Sequence, residues 1–248
     1  MNQTNIIAHR GSKGTHPENT LEAIKEAVRV GSDGIELDIH LSLDKELIVI
    51  HDETIDRTTN GNGRVQHLTL AELKQFDAGS WYSYEYSHCR IPTLQEIFCF
   101  LEEVDYEGLV NIELKTDKFS YPGIEEKVVA FVAEKNWPFT IEYSSFNYQT
   151  LIQLKALDDS CKIALLFEKT GGNVAFLSPD IPINMWHPKL SWFRRNSLFR
   201  VLEKPVRVWT VNKSEDLQFC FRKQVAGVIT DYPQKALELR NKWQYEGV

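Results

Sequence analysis

A chain of 248 residues, 42% hydrophobic and 25% charged, has the length and balance of a globular protein and excludes a fibrous or disordered one. Its formal net charge of -7 argues against an extended nucleic-acid surface, because phosphate backbones are held largely by lysine and arginine. Any anionic ligand must therefore be met by local positive charge.

The first five residues precede a short apolar run and carry neither a basic leader nor a stretch long enough for a membrane span. The expectation is a cytoplasmic protein without stable membrane insertion. Residues 5–8 read as a first strand, followed directly by His9-Arg10-Gly11. The segment His16-Pro17-Glu18-Asn19-Thr20-Leu21-Glu22 leads into a helix at 21–30, with Asn19 and Glu22 spaced as a capping pair and Glu18 free to face a site from the loop. A second strand at 34–39 alternates so that Glu36 and Asp38 share one face, roughly 6 to 7 Å apart. Burying two like charges is costly unless a cation or hydrogen-bond donors compensate.

A strand at 47–50 follows across Ser42-Leu43-Asp44-Lys45, too short a link for a parallel crossover, so the pair must be an antiparallel hairpin. The hairpin brings His51-Asp52 back to the carboxyl end of the second strand. Residues 53–92 then read as an insertion, with a turn-like Thr59-Asn60-Gly61-Asn62-Gly63, a small helix at 70–76 and no buried-strand signal.

Beyond it, helices are expected at 94–103, 124–136, 148–157, 191–203 and 214–222, and strands at 109–114, 139–143, 162–167, 181–185, 206–211 and 225–229. In the strand at 109–114, Glu113 shares a face with Lys115 just beyond its end. Gly171-Gly172 belongs to a loop without P-loop context. Met185-Trp186-His187-Pro188 and Trp192-Phe193 read as packing residues around one solvent-facing histidine, with the lining of a headgroup pocket as the alternative. Trp209, near the end of a late strand, either floors a pocket for a glycerol-sized group or fills the top of the core. Asp231 reads as a helix cap. Cys89, Cys99, Cys161 and Cys220 form no CxxC pair, which predicts reduced thiols.

Eight strands separated by helices suggest an α/β fold, a closed (β/α)8 TIM barrel, with an open doubly wound sheet as the competing arrangement. No repeat or linker marks a boundary, so one domain spanning 1–248 is expected, carrying the insertion at about 53–92. Glu36, Asp38 and Glu113 together, without a nearby thiol, describe a hard-cation site suited to Mg²⁺ or Ca²⁺ rather than Zn²⁺. The competing reading, a solvated face of an amphipathic strand, sits poorly with apolar flanks on both faces. His9 and His51 stand at strand ends, where barrel enzymes assemble their sites, and can serve as base and acid about a phosphorus centre. Arg10 offers a planar pair of donors to phosphoryl oxygens.

The ordered set His9-Arg10-Gly11, Pro17-Glu18-Asn19-Thr20, Glu36-Leu37-Asp38, His51-Asp52, Asp56-Arg57-Thr58-Thr59-Asn60-Gly61, Ile91-Pro92-Thr93-Leu94, Glu113-Leu114-Lys115 and Trp209-Thr210-Val211-Asn212 resembles the glycerophosphodiester phosphodiesterase family. The resemblance implies a (β/α)8 barrel with a small insertion after the second strand. It also implies hydrolysis of a small-molecule glycerophosphodiester to glycerol 3-phosphate and an alcohol. By position it assigns Glu36, Asp38 and Glu113 to one divalent cation, His9 to the general base and His51 to the general acid. Arg10 and Lys115 would steady phosphoryl oxygens, and Trp209 would contact glycerol. A lysophospholipase D or phospholipase C-like enzyme on the same barrel, or a barrel that binds a phosphodiester without turnover, are the alternatives. Headgroup, choice of cation and oligomeric state are not legible in the sequence.

Overall fold

Strands that are apolar on both faces need a layer of helices outside and packed side chains inside, and the chain supplies both. The computed structural model describes residues 3–168, 182–196 and 204–246. Its strands are β1 (Asn5–His9), β2 (Gly34–Leu41), β3 (Leu47–Val49), β4 (Leu109–Leu114), β5 (Thr140–Ser145), β6 (Lys162–Phe167), β7 (Met185–Pro188), β8 (Arg207–Val208) and β9 (Gly227–Thr230). All but β3 pair in parallel, in the order β7-β6-β5-β4-β2-β1-β9-β8. Parallel bridges from Trp186 to Val206 and from Lys189 to Trp209 bring the two ends together. The result is a (β/α)8 barrel, and the open sheet is excluded. β3 lies outside this path, antiparallel to β2, as the short link requires.

The helices are α1 (Leu21–Arg29), α2 (Leu70–Leu73), α3 (Leu94–Glu103), α4 (Ile124–Ala133), α5 (Tyr148–Leu157), α6 (Leu190–Asn196), α7 (Ser214–Arg222) and α8 (Pro233–Glu246). α3 begins with a reciprocal cap between Thr93 and Glu96, which satisfies two otherwise orphaned backbone donors. α1 is capped by Thr20, whose hydroxyl accepts from the Ala23 amide, and not by the expected Asn19. Asn19 instead adopts a positive φ of 56° and turns its side chain toward the barrel. β7 starts four residues later than expected because the ladder to β6 runs from Met185 to Pro188, with Trp186 and His187 buried. Ile181, Gly171, Gly172 and the second half of the helix expected at 191–203 lie outside the described residues.

The main core fills the layer between strands and helices, with Phe98, Leu101, Val110, Ile112 and Leu154 fully buried. Inside the barrel, Ile7, Leu109 and Ile229 pack beneath Trp209, and an Arg207–Glu142 ion pair is buried there as well. The segment between β3 and α3 has its own small core, in which Ile55, Val65, Leu73 and Ala78 pack on Ile48, Ile50 and Ile91. This packing fixes the insertion over one side of the barrel mouth and so fixes what it carries into the site. Among the described residues no helix is long and apolar enough to cross a membrane.

Candidate active site

Strand register decides which side chains meet. His9 pairs with Glu36, Glu36 with Asn111 and Asp38 with Glu113, so all five point from neighbouring strands into the barrel at their carboxyl ends. Glu36, Asp38 and Glu113 are all buried, and one oxygen from each lies within 4.8 Å of the others. Burial, and then the charges of Asp38 and Glu113, push the Glu36 carboxyl well above its usual range. Burial likewise raises Glu113 against the pull of Lys115. Asp38 goes the other way: burial would raise it, but Arg10 and Lys115 outweigh that and hold it ionised.

Asp38 Oδ1 is buried without a hydrogen-bond partner, although the Lys115 ammonium lies 3.7 Å away. An orphaned carboxylate oxygen inside a cluster of three acids is unfavourable for the protein alone and favourable beside a cation. The donors are all carboxylate oxygens, the set preferred by hard divalent ions. These residues therefore fit a divalent cation.

Two histidines flank the acids, each fixed by a carboxylate. His9 Nδ1 lies 2.6 Å from Asp231 Oδ1, while Asn212 donates to the second oxygen of Asp231 at 2.7 Å. Asp231 is thus the partner of His9, not the helix cap read from the sequence. Burial first, and then Arg10, lower His9 from 6.5 to about 4 against the opposing effect of Asp231, so the imidazole is neutral near pH 7. His51 Nδ1 lies 2.6 Å from Asp52 Oδ1, and Arg57 Nε donates to the other Asp52 oxygen at 2.6 Å. In both dyads Nδ1 is engaged, which leaves Nε2 for a ligand.

A cationic bridge ties the dyads to the acids. Glu18, 5% exposed, accepts from Arg10 Nη1 and from Arg57 Nη2, each at 2.7 Å. Burial would raise its carboxyl, but these guanidinium groups hold it down at about 2. Arg10 also approaches Asp38 Oδ2 at 3.2 Å, and its backbone amide donates to Glu36 Oε2 at 3.0 Å. The turn that permits this needs Gly11, at φ 75°, where an added Cβ would lie 2.5 Å from the Ala23 backbone carbon. Asn19 Nδ2 donates to Asp38 Oδ2 at 2.9 Å, and Lys115 Nζ donates to Glu113 Oε1 at 2.6 Å.

These groups open into a cavity of about 310 Å³, lined on its far side by Phe146, Leu166 and Trp209. Trp209 meets Phe146 edge-on, 5.5 Å between centroids, and its indole donates to the His187 carbonyl at 2.7 Å. The tryptophan therefore walls the cavity rather than merely filling the core. His187, expected at the surface, is fully buried, with neither ring nitrogen hydrogen-bonded. All eight residues singled out in the sequence, His9, Arg10, Glu36, Asp38, His51, Glu113, Lys115 and Trp209, meet in or beside this cavity. Reasoning from sequence missed Asp231 as a histidine partner, Arg57 as the support of Asp52, and Asn19 on Asp38. Asp231 stands just past the last barrel strand, and Asn19 and Arg57 lie inside the motif blocks of the family resemblance, but no local pattern reveals which groups they support.

The model of the glycerophosphoryl diester phosphodiesterase family matches residues 9–235. The chain belongs to that family. A glycerophosphodiester phosphodiesterase of Caldanaerobacter subterraneus subsp. tengcongensis is 39% identical over 247 residues, covering 97% of this chain and 99% of the relative. One from Bacillus altitudinis is 35% identical over 245 residues, covering 96% and 99%. Among solved structures, a phosphodiesterase of Oleispira antarctica, in complex with its product sn-glycerol-3-phosphate, superposes with a TM-score of 0.85 at 31% identity, covering 96% of this chain and 97% of that one. Membership of the family makes the chain a phosphodiesterase.

Proposed function

We propose that this enzyme hydrolyses small glycerophosphodiesters, such as glycerophosphocholine or glycerophosphoethanolamine, to glycerol 3-phosphate and an alcohol. The observation that carries the reading is one cavity in which two histidines, each held at Nδ1 by a carboxylate, flank three buried acids and a largely shielded arginine. Glu36, Asp38 and Glu113 would hold one divalent cation, Mg²⁺ or Ca²⁺, which when bound supplies charge that polarises the phosphoryl group.

His9, neutral near pH 7, takes a proton at Nε2 from the attacking hydroxyl, and Asp231 stabilises the imidazolium that forms. In the route favoured here the nucleophile is the 2-hydroxyl of the substrate's own glycerol. Its attack displaces the alcohol and leaves a cyclic phosphate, which water then opens. His51 gives its Nε2 proton to the departing alkoxide, with Asp52 fixing its ring. Arg10 and Lys115 offset charge growing on the phosphoryl oxygens. Trp209 and Phe146 give an apolar wall to the uncharged carbon chain of glycerol.

Release of choline from glycerophosphocholine and from a lysophospholipid, measured side by side, tests the substrate class. Expected are turnover of the former, loss on chelation, recovery with added cation, and a fall of about 10²-fold or more in both His9→Ala and His51→Ala. Preference for the lysophospholipid would make the protein a lysophospholipase D, and a cation-dependent binder without turnover would make it a binding barrel.

A further inference from the structure

Away from the cavity, at the seam where the insertion meets the first helix, three unlike side chains converge. Glu22 stands in the first turn of α1, and His88 and Cys89 close the insertion just before Ile91 and Pro92. His88 Nε2 lies 3.5 Å from Glu22 Oε1 and 3.9 Å from Cys89 Sγ, and the three ligand atoms fall within 4.8 Å of one another. Tetrahedral zinc bound to sulfur, nitrogen and oxygen sets its ligand atoms roughly 3.3 to 3.7 Å apart. The observed separations are within about an ångström of that arrangement. We infer that Glu22, His88 and Cys89 form a second cation site, selective for a zinc-class ion and distinct from the oxygen-only cluster inside the barrel.

Four features support the assignment. The donor set is mixed, and a thiolate with an imidazole favours zinc or cobalt over magnesium or calcium, whereas the inner acids favour the reverse. The framework is fixed on both sides: the Cys89 amide donates to the Tyr86 carbonyl at 2.9 Å, its carbonyl accepts from Ala78 at 3.0 Å, and Glu22 rides on a capped helix. The site also has an entrance, because the His88 side chain is 64% exposed while Cys89 is 2% exposed. Finally, a half-exposed imidazole–carboxylate contact contributes little by itself, whereas a shared cation engages all three groups.

Bound to such an ion, the Cys89 thiol gives up its proton. Three protein ligands leave one tetrahedral position for water. Such an ion would clamp the end of the insertion to α1, and the insertion carries Arg57, which supports the His51 dyad.

Cobalt spectroscopy on the full chain tests the proposal without reference to turnover. Protein stripped with chelator is titrated with Co²⁺ in excess Mg²⁺, which occupies the oxygen cluster. Only cobalt bound to a thiolate gives the near-ultraviolet charge-transfer band. The expected result is a band that saturates at one cobalt per chain, is abolished by Zn²⁺ and by Cys89→Ser, and needs about tenfold or more cobalt in His88→Ala. It should persist unchanged in Cys99→Ser. No band in the wild type, or one that survives Cys89→Ser, overturns the inference. If Cys89→Ser does not fold, unchanged cobalt affinity in His88→Ala, whose ring is largely exposed, overturns it equally.

Discussion

Asp231→Asn separates two ways in which a carboxylate can serve His9. Asp231 raises the affinity of His9 for protons, yet burial and Arg10 still hold that histidine down at about 4. Removing the charge can only lower it further. Near pH 7 the imidazole is neutral with or without Asp231, so the fraction of competent base does not change. What changes is the tautomer and the fate of the proton. At 2.6 Å the carboxylate accepts from Nδ1–H, which leaves Nε2 bare to act as base. An amide that turns its NH₂ toward Nδ1 favours the other tautomer and places hydrogen on the nitrogen that must accept one. The imidazolium formed during attack also loses its counter-charge. Loss of general-base function costs about 10² to 10⁴-fold, and the lower end corresponds to about 2.7 kcal/mol of transition-state stabilisation. The assay is glycerol 3-phosphate release at saturating glycerophosphocholine across about pH 6 to 8, with a thermal melt to verify folding. The expected result is a kcat lower by about 10²-fold or more at every pH in that window. A kcat within about threefold of the wild type, in folded protein, would refute both the tautomer argument and the assignment of His9 as base.

The remaining predictions concern the charges around that base. Glu36 binds its proton more tightly folded than unfolded, so in metal-free protein its contribution to stability is complete below about 4.5 and is lost as pH rises through its raised value. His9 has the opposite sign: kept neutral when folded, it costs up to about 3 kcal/mol as pH falls from 6.5 toward 4. The rise in melting temperature on adding Mg²⁺ or Ca²⁺ should therefore grow from about pH 5 to about 8, and a pH-independent rise would count against a three-carboxylate site. Arg57→Ala releases both Asp52 and Glu18 and should lower kcat roughly tenfold, with Arg57→Lys failing to restore it, because a single ammonium cannot reproduce the planar fork; full rescue by lysine would reduce Arg57 to a point charge. Glu142→Ala leaves Arg207 buried and unpaired inside the barrel and should cost about 3 to 5 kcal/mol in denaturant unfolding; a loss below about 1 kcal/mol would show that water reaches the guanidinium.

The parts of the fold that sequence resolved best were those set by periodicity. The helices at Leu94–Glu103, Tyr148–Leu157 and Ser214–Arg222 and the strands at Leu109–Leu114 and Lys162–Phe167 follow the expected spans because apolar spacing marks them, with caps at Thr93 and Asn147 fixing the start of the first two helices. β7 was misplaced because a fully buried strand has no alternation to set its ends, and the apolar run before Met185 reads as strand equally well. The acids of the site were legible for a related reason. A carboxylate in an otherwise apolar strand is anomalous, and the two-residue period puts Glu36 beside Asp38 without further information. Their supporting residues were not legible, since Asp231 is 222 residues from His9 and Arg57 lies 39 from Glu18. Asn19 shows how a local rule misleads. Its spacing to Glu22 is that of a capping pair, but Thr20 beside it is an equally good cap and leaves Asn19 free to reach Asp38.

The linked charges also bear on why a cation belongs here. In and around the site stand six carboxylates, Glu18, Glu36, Asp38, Asp52, Glu113 and Asp231, and four cationic side chains, Arg10, Lys13, Arg57 and Lys115. Carboxylates outnumber cationic side chains there by six to four, which makes the set by itself a poor receptor for an anionic phosphodiester. The protein alone meets the excess partly at Glu36, whose buried carboxyl beside Asp38 and Glu113 holds its proton more tightly than usual. A divalent ion would offset it without the proton, so that Arg10 and Lys115 could turn toward phosphoryl oxygens rather than serve only as counter-ions to the acids. A cation held there would thus govern substrate binding as well as the chemical step, and the anion-binding power of the site, in a chain of net charge -7, would be assembled at the cavity rather than inherited from the surface.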